Sequence, residues 1–132
     1  MQVISQIECQ VLPTTKLVVK GEDGKTAEYT LVLDYCAIAK AEEILKRDLS
    51  VILNWRGLSG PDLSVICYSS FDRYHPEVTL RQVRQWLAPS QNDQLFSMLF
   101  EAAYPGVLAK MIEAAKELPA GESPNVEAAA IA

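Results

Sequence analysis

The chain has 132 residues, of which 49% are hydrophobic and 22% charged; twelve basic and seventeen acidic side chains give a formal charge of −5. This length fits one domain with a core that needs no disulfides or metals, and the composition excludes a disordered chain. The acidic balance, with basic residues scattered apart from Lys46 and Arg47, argues against a nucleic-acid binder, whose affinity draws on phosphate neutralisation.

The N-terminal third reads as β structure. Over residues 3–11, Val3, Ser5, Ile7, Cys9 and Val11 alternate with Gln6, Glu8 and Gln10, the period of a half-buried strand, and Pro13 ends it. A second strand is expected over residues 16–20, around Leu17, Val18 and Val19. The turn Gly21-Glu22-Asp23-Gly24 follows, with Asp-Gly as a hairpin signal. Ala27, Tyr29, Leu31 and Leu33 then alternate with Thr26, Glu28 and Thr30, which predicts a small antiparallel sheet with one apolar face.

At Asp34 the period lengthens towards 3.6. Asp34 is suited to cap a helix whose apolar side is Ile38, Ala41, Ile44 and Leu45, ending near Arg47, with Glu43 and Arg47 spaced for an ion pair. A short helix is expected over residues 48–54 and a loop over residues 55–57. Ser59-Gly60-Pro61-Asp62 starts the next helix, with Leu63, Ile66, Cys67 and Phe71 as its stripe and an end before Pro76. Thr79 and Gln82 form a capping box ahead of Leu80, Val83, Trp86 and Leu87, and Pro89 stops that helix. Ser90 and Asp93 mark another start, with Leu95, Met98, Leu99 and Ala102 as its stripe. Pro105-Gly106 breaks that helix before residues 107–118, which carry Leu108, Met111, Ile112 and Ala115. The fold expected is α+β, a small N-terminal sheet followed by a bundle of about four to five helices. Residues 1–118 form its single domain, and residues 119–132, rich in Ala, Pro, Gly and Glu, are expected to be a dispensable mobile tail.

The residues offer little chemistry. Three cysteines, Cys9, Cys36 and Cys67, are odd in number and widely spaced, which fits a reducing cytoplasm rather than a disulfide framework. The start lacks a signal-peptide pattern, and no apolar run reaches the roughly 18 residues of a membrane span, so a cytosolic protein without a membrane partner is expected. Cys67 and the lone histidine, His75, could in principle form a nucleophile–base pair. Cys67, however, lies on an apolar stripe, where a free thiol packs as a small hydrophobe. His75 sits at a helix end, where a cation suits the dipole. Both are read as structural. No metal-ligand pattern or glycine-rich phosphate loop is present in the sequence, and no cofactor or enzymatic activity is expected.

Aromatic residues are the more informative group, since they dominate both cores and binding hot spots. Trp86 lies on its helix stripe and is read as core. Trp55, in a polar loop beside Arg56, is expected to face a partner. Arg56, Tyr68 and Tyr74 complete the candidate partner-binding set. Trp55→Ala is expected to weaken binding while leaving the fold intact.

Three segments carry a family resemblance. Residues 34–45 (DYCAIAKAEEIL) give a helix with an acidic pair, and residues 58–74 follow L-S-x-P-D-L-x-x-x-x-x-x-x-F-x-x-Y. His75-Pro76-Glu77-Val78-Thr79-Leu80-Arg81-Gln82-Val83 opens the following helix. Together, over residues 16–99, they resemble the tail assembly chaperones of long-tailed bacteriophages and gene transfer agents. The resemblance implies a non-enzymatic protein in the cytoplasm of a bacterial host. It would bind the tape measure protein, or another tail protein, and keep it soluble before tail tube polymerisation, with self-association also allowed. The alternatives are a tail or neck morphogenesis protein retained in the particle, and a small enzyme using Cys67 and His75.

Overall fold

The computed structural model describes residues 5–9 and 12–117. A hairpin comes first: β1 (Thr15–Lys20) pairs antiparallel with β2 (Thr26–Leu31), with Leu17 opposite Tyr29 and Val18 opposite Glu28. Alternation places Leu17 and Val19 towards the helices and leaves Lys16, Val18 and Lys20 exposed. The turn closes through the Gly21 N–H on the Lys25 carbonyl at 2.8 Å, and Gly24 adopts φ +80°, which a side chain would resist.

Five helices follow: α1 (Tyr35–Leu45), α2 (Gly60–Ser70), α3 (Leu80–Trp86), α4 (Asn92–Ala103) and α5 (Val107–Glu117). With the hairpin they make the expected α+β fold. Their starts follow the cap chemistry of the sequence. The Asp34 carboxylate accepts the Ala37 N–H at 2.9 Å. Ser59 with Asp62, and Thr79 with Gln82, form reciprocal capping boxes.

α2 is the central element. It is buried on nearly all sides, through Leu63, Val65, Ile66 and Cys67 and also through Ser64, Ser69 and Ser70. The serine hydroxyls donate to carbonyls within the helix, Ser69 Oγ to Val65 and Ser70 Oγ to Cys67, so their burial leaves no polar atom unpaired. α1, α3 and α4 pack around α2, and the Val32 N–H donates to the Ser70 carbonyl, tying the strand exit to its end.

Several sequence expectations are corrected. Residues 5–9 form no strand and are exposed, Ile7 to 90%. Ser5, Ile7 and Cys9 offer one large apolar side chain between them, too little burial to offset the ordering of a third strand. The rest of that expected strand, and the expected tail at residues 119–132, lie outside the described residues. α1 ends at Leu45 because Lys46 turns left-handed at φ 54°. Arg47 is thereby off the helix, and its guanidinium lies 3.9 Å from Asp62 instead of pairing with Glu43. The helix expected over residues 48–54 is a single 3-10 turn, Ile52–Trp55. The Ser90 start is displaced by a 3-10 turn at Pro89–Gln91, with Gln91 rather than Ser90 in the cap position of α4.

Candidate binding groove

The loop between α1 and α2 is folded inward on Leu49, which is fully buried. The Leu49 N–H donates to Glu42 at 2.8 Å. The Leu49 carbonyl accepts the Trp55 indole N–H at 2.9 Å and the Tyr104 hydroxyl at 3.1 Å. Burial pushes the Tyr104 phenol above its ordinary pKa. Trp55 is therefore a core residue, only 1% exposed, with Phe96, Phe100 and Tyr104 around it at ring-centroid distances of 6.3, 5.7 and 6.0 Å. The expectation that Trp55 could be removed without harm to the fold is corrected: the polar sequence around it marks a loop, but the loop turns its indole inward.

α4 and α5 leave a wedge beside this cluster. Tyr104 departs from helical geometry, Pro105 supplies no N–H, and Gly106 sits at φ +80°. The axes of the two helical segments consequently turn by 110°. The Gly106 N–H donates to Glu101 at 2.9 Å and fixes the corner. α5 presents Leu108, Met111, Ile112 and Ala115, spaced i, i+3, i+4 and i+7, towards Phe96 and Phe100 of α4 and the 3-10 turn.

The result is an open groove of about 410 Å³, floored by Trp55 and walled by Leu53, Phe96, Phe100, Met111 and Ile112. Among the described residues no charged side chain lines it, and Ser97 is the one small polar side chain there. Leu53 is 66% exposed and Ile112 47%, far more than core residues of their type. Exposed apolar side chains gathered at one groove mark a surface able to take an apolar face of another element.

The four candidates from the sequence do not converge. Trp55 floors the groove. Arg56 follows it, exposed, and its carbonyl accepts from Arg47 at 3.4 Å. Tyr68 is half-buried beneath the Lys40 ammonium, which lies 4.4 Å from the ring centroid. Tyr74 is 44% exposed and meets the Arg73 guanidinium. Sequence reasoning missed the groove's walls, Leu53, Phe96, Met111 and Ile112. The signal was there in α5, whose apolar stripe needs a partner face, but the Pro105-Gly106 corner decides how much of that face stays open.

Two other features bear on chemistry. Cys67 is fully buried, and desolvation pushes its thiol up to about 12, so it stands as a neutral thiol at physiological pH. The His75 Nε2 accepts a backbone N–H from Thr30 at 2.9 Å. A second depression, of about 420 Å³, is lined by Gly60, Pro61, Arg84 and Asn92. Arg84 donates there to the Ser64 hydroxyl at 2.9 Å and reaches the Pro61 carbonyl at 3.5 Å, which joins α3 to the start of α2. Among the described residues no three His, Cys, Asp or Glu side chains are placed to hold a metal ion, and no single helix is long and apolar enough to cross a membrane. Compared with protein-family models, with curated proteins and with solved structures, the chain matches none.

Proposed function

We propose that the protein is a phage tail assembly chaperone that receives an amphipathic helix of the tape measure protein in the groove between the Ile52–Trp55 turn, α4 and α5. The observation that carries the reading is the exposure of Leu53 and Ile112 at the rim of an uncharged groove floored by aromatic rings. A site with no charged lining suits an occupant whose buried face is wholly apolar. A helix supplies this at i, i+3, i+4 and i+7 while satisfying its own backbone. A long helical protein with such stripes aggregates unless they are covered, and the resemblance over residues 16–99 points to the tape measure protein as that partner. The net charge of −5 helps keep the complex soluble.

The reading requires no catalysis. Binding draws on burial of the exposed rim residues, and loss of one good anchor costs about 2 kcal/mol, roughly thirtyfold in affinity. The test is co-expression with the tape measure protein of the same phage, followed by affinity capture. Leu53→Asp and Ile112→Asp alter exposed side chains and should leave circular dichroism unchanged. Each is expected to abolish co-purification and to send the tape measure protein into the insoluble fraction. Undiminished capture by both folded variants would remove the groove from the interaction. Recovery of the protein in mature particles would instead favour a retained tail component.

A further inference from the structure

The hairpin is joined to the helical body by few polar links. Among the described residues, a single hydrogen bond runs from residues 15–31 to the helices and their turns, from the Thr30 N–H to His75 Nε2 at 2.9 Å. The remaining attachment is apolar. The Tyr29 ring packs against Trp86 at 4.8 Å, His75 at 5.1 Å and Phe71 at 5.9 Å. Chain continuity and the Val32 N–H on the Ser70 carbonyl hold the far end of β2.

That single bond fixes the state of the imidazole. A ring nitrogen that accepts an N–H must present its lone pair, so the docked hairpin requires neutral His75 with its proton on Nδ1. A proton added at Nε2 sets two donors face to face. The Thr30 N–H then loses its acceptor in a partly buried position, where water cannot readily replace it.

We infer that His75 is a pH-sensitive latch: protonation at Nε2 releases Thr30 and undocks the β1–β2 hairpin from α2 and α3. Among the described residues, the titratable groups against the ring are Tyr29, from β2, and Glu77, on its own turn, whose carboxylate lies 3.7 Å from Nδ1. The uncharged Phe71 ring, just past the end of α2, packs against the imidazole at 6.1 Å, and Trp86 of α3, also uncharged, packs on Phe71 and Tyr29. Glu77 favours the imidazolium once it forms and so assists release. The sign follows from which state binds the proton. The docked state needs the Nε2 lone pair and the released state does not, so a proton at that nitrogen weakens docking. The latch is independent of what fills the groove.

Nuclear magnetic resonance on the full chain tests this directly, because His75 is the one histidine in the sequence. Long-range ¹H–¹⁵N spectra at neutral pH should show the proton on Nδ1. Amide exchange, corrected for intrinsic rates, should be compared at about pH 7.5 and about pH 5, either side of the usual imidazole range. Protection of the Thr30 amide is expected to fall at least tenfold at the lower pH, while that of Ile66 in α2 stays within twofold. His75→Gln offers a carbonyl acceptor that does not titrate, so its Thr30 protection should be insensitive to pH. If that variant fails to fold, the tautomer and the two protection values of the wild-type chain still decide the matter. A proton on Nε2 at neutral pH, unchanged Thr30 protection, equal loss at Ile66, or the same loss in folded His75→Gln would each overturn the latch.

Discussion

The Trp55 indole N–H donates to the carbonyl of Leu49, six residues earlier, at 2.9 Å, and this bond turns the loop between α1 and α2 inward. The same carbonyl accepts the Tyr104 hydroxyl, so the loop and the end of α4 share one acceptor. The aromatic floor of the groove is thereby part of the core, and its exposed rim is the part free to bind.

Stability should separate floor from rim. Trp55→Ala removes a buried aromatic side chain and is expected to cost about 3–5 kcal/mol. Tyr104→Phe should cost about 1 kcal/mol or less, because the Leu49 carbonyl keeps its bond from Trp55. Leu53→Ala, at an exposed site, should stay within about 0.5 kcal/mol of wild type. Urea denaturation of the three variants checks the order. A Trp55→Ala protein as stable as Leu53→Ala would place the indole outside the core.

The two capping boxes are testable in the same way. Ser59→Ala and Thr79→Ala each strip an acceptor from a helix start and are expected to cost about 1 kcal/mol, read from urea midpoints. An unchanged midpoint for Ser59→Ala would show that Pro61 and Asp62 alone set the start of α2.

The thiols should divide two to one. Cys9 and Cys36 are exposed and Cys67 is buried, so a thiol reagent should titrate two groups in the native protein and a third only after denaturation. The raised pKa of Cys67 also has a stability consequence. Its folded value, about 12, lies above the ordinary 9.0, so the folded state holds a proton that the unfolded chain has lost. This contribution is fully present below about pH 9 and declines as pH rises towards 12. Cys67→Ala should have a shallower alkaline loss of stability than wild type. Identical alkaline slopes would show that another group carries the effect.

Much of this architecture is legible in the residues, for local reasons. Asp34, Ser59 and Thr79 announce helix starts because their side chains serve backbone N–H groups within the next turn. The hairpin follows from alternation flanking a Gly-rich turn. What the sequence hides depends on distant contacts. Ser64, Ser69 and Ser70 are polar by residue type, yet they are buried, because serine can satisfy itself on its own helix. Trp55 reads as a loop residue beside Asn54 and Arg56, and only its bond to Leu49 reveals its direction. The groove depends on the angle at Tyr104–Gly106, which Pro105 foretells as a break but not as a 110° corner.

Site-specific photo-crosslinking in cells producing the tail proteins tests the central claim most directly. A photoreactive residue replaces Ile112 at the groove rim or, as a control, Lys20 on the exposed edge of the hairpin. The account predicts a covalent adduct with the tape measure protein from position 112 and none from position 20. Absence of that adduct from position 112, or equal adducts from both positions, would contradict it.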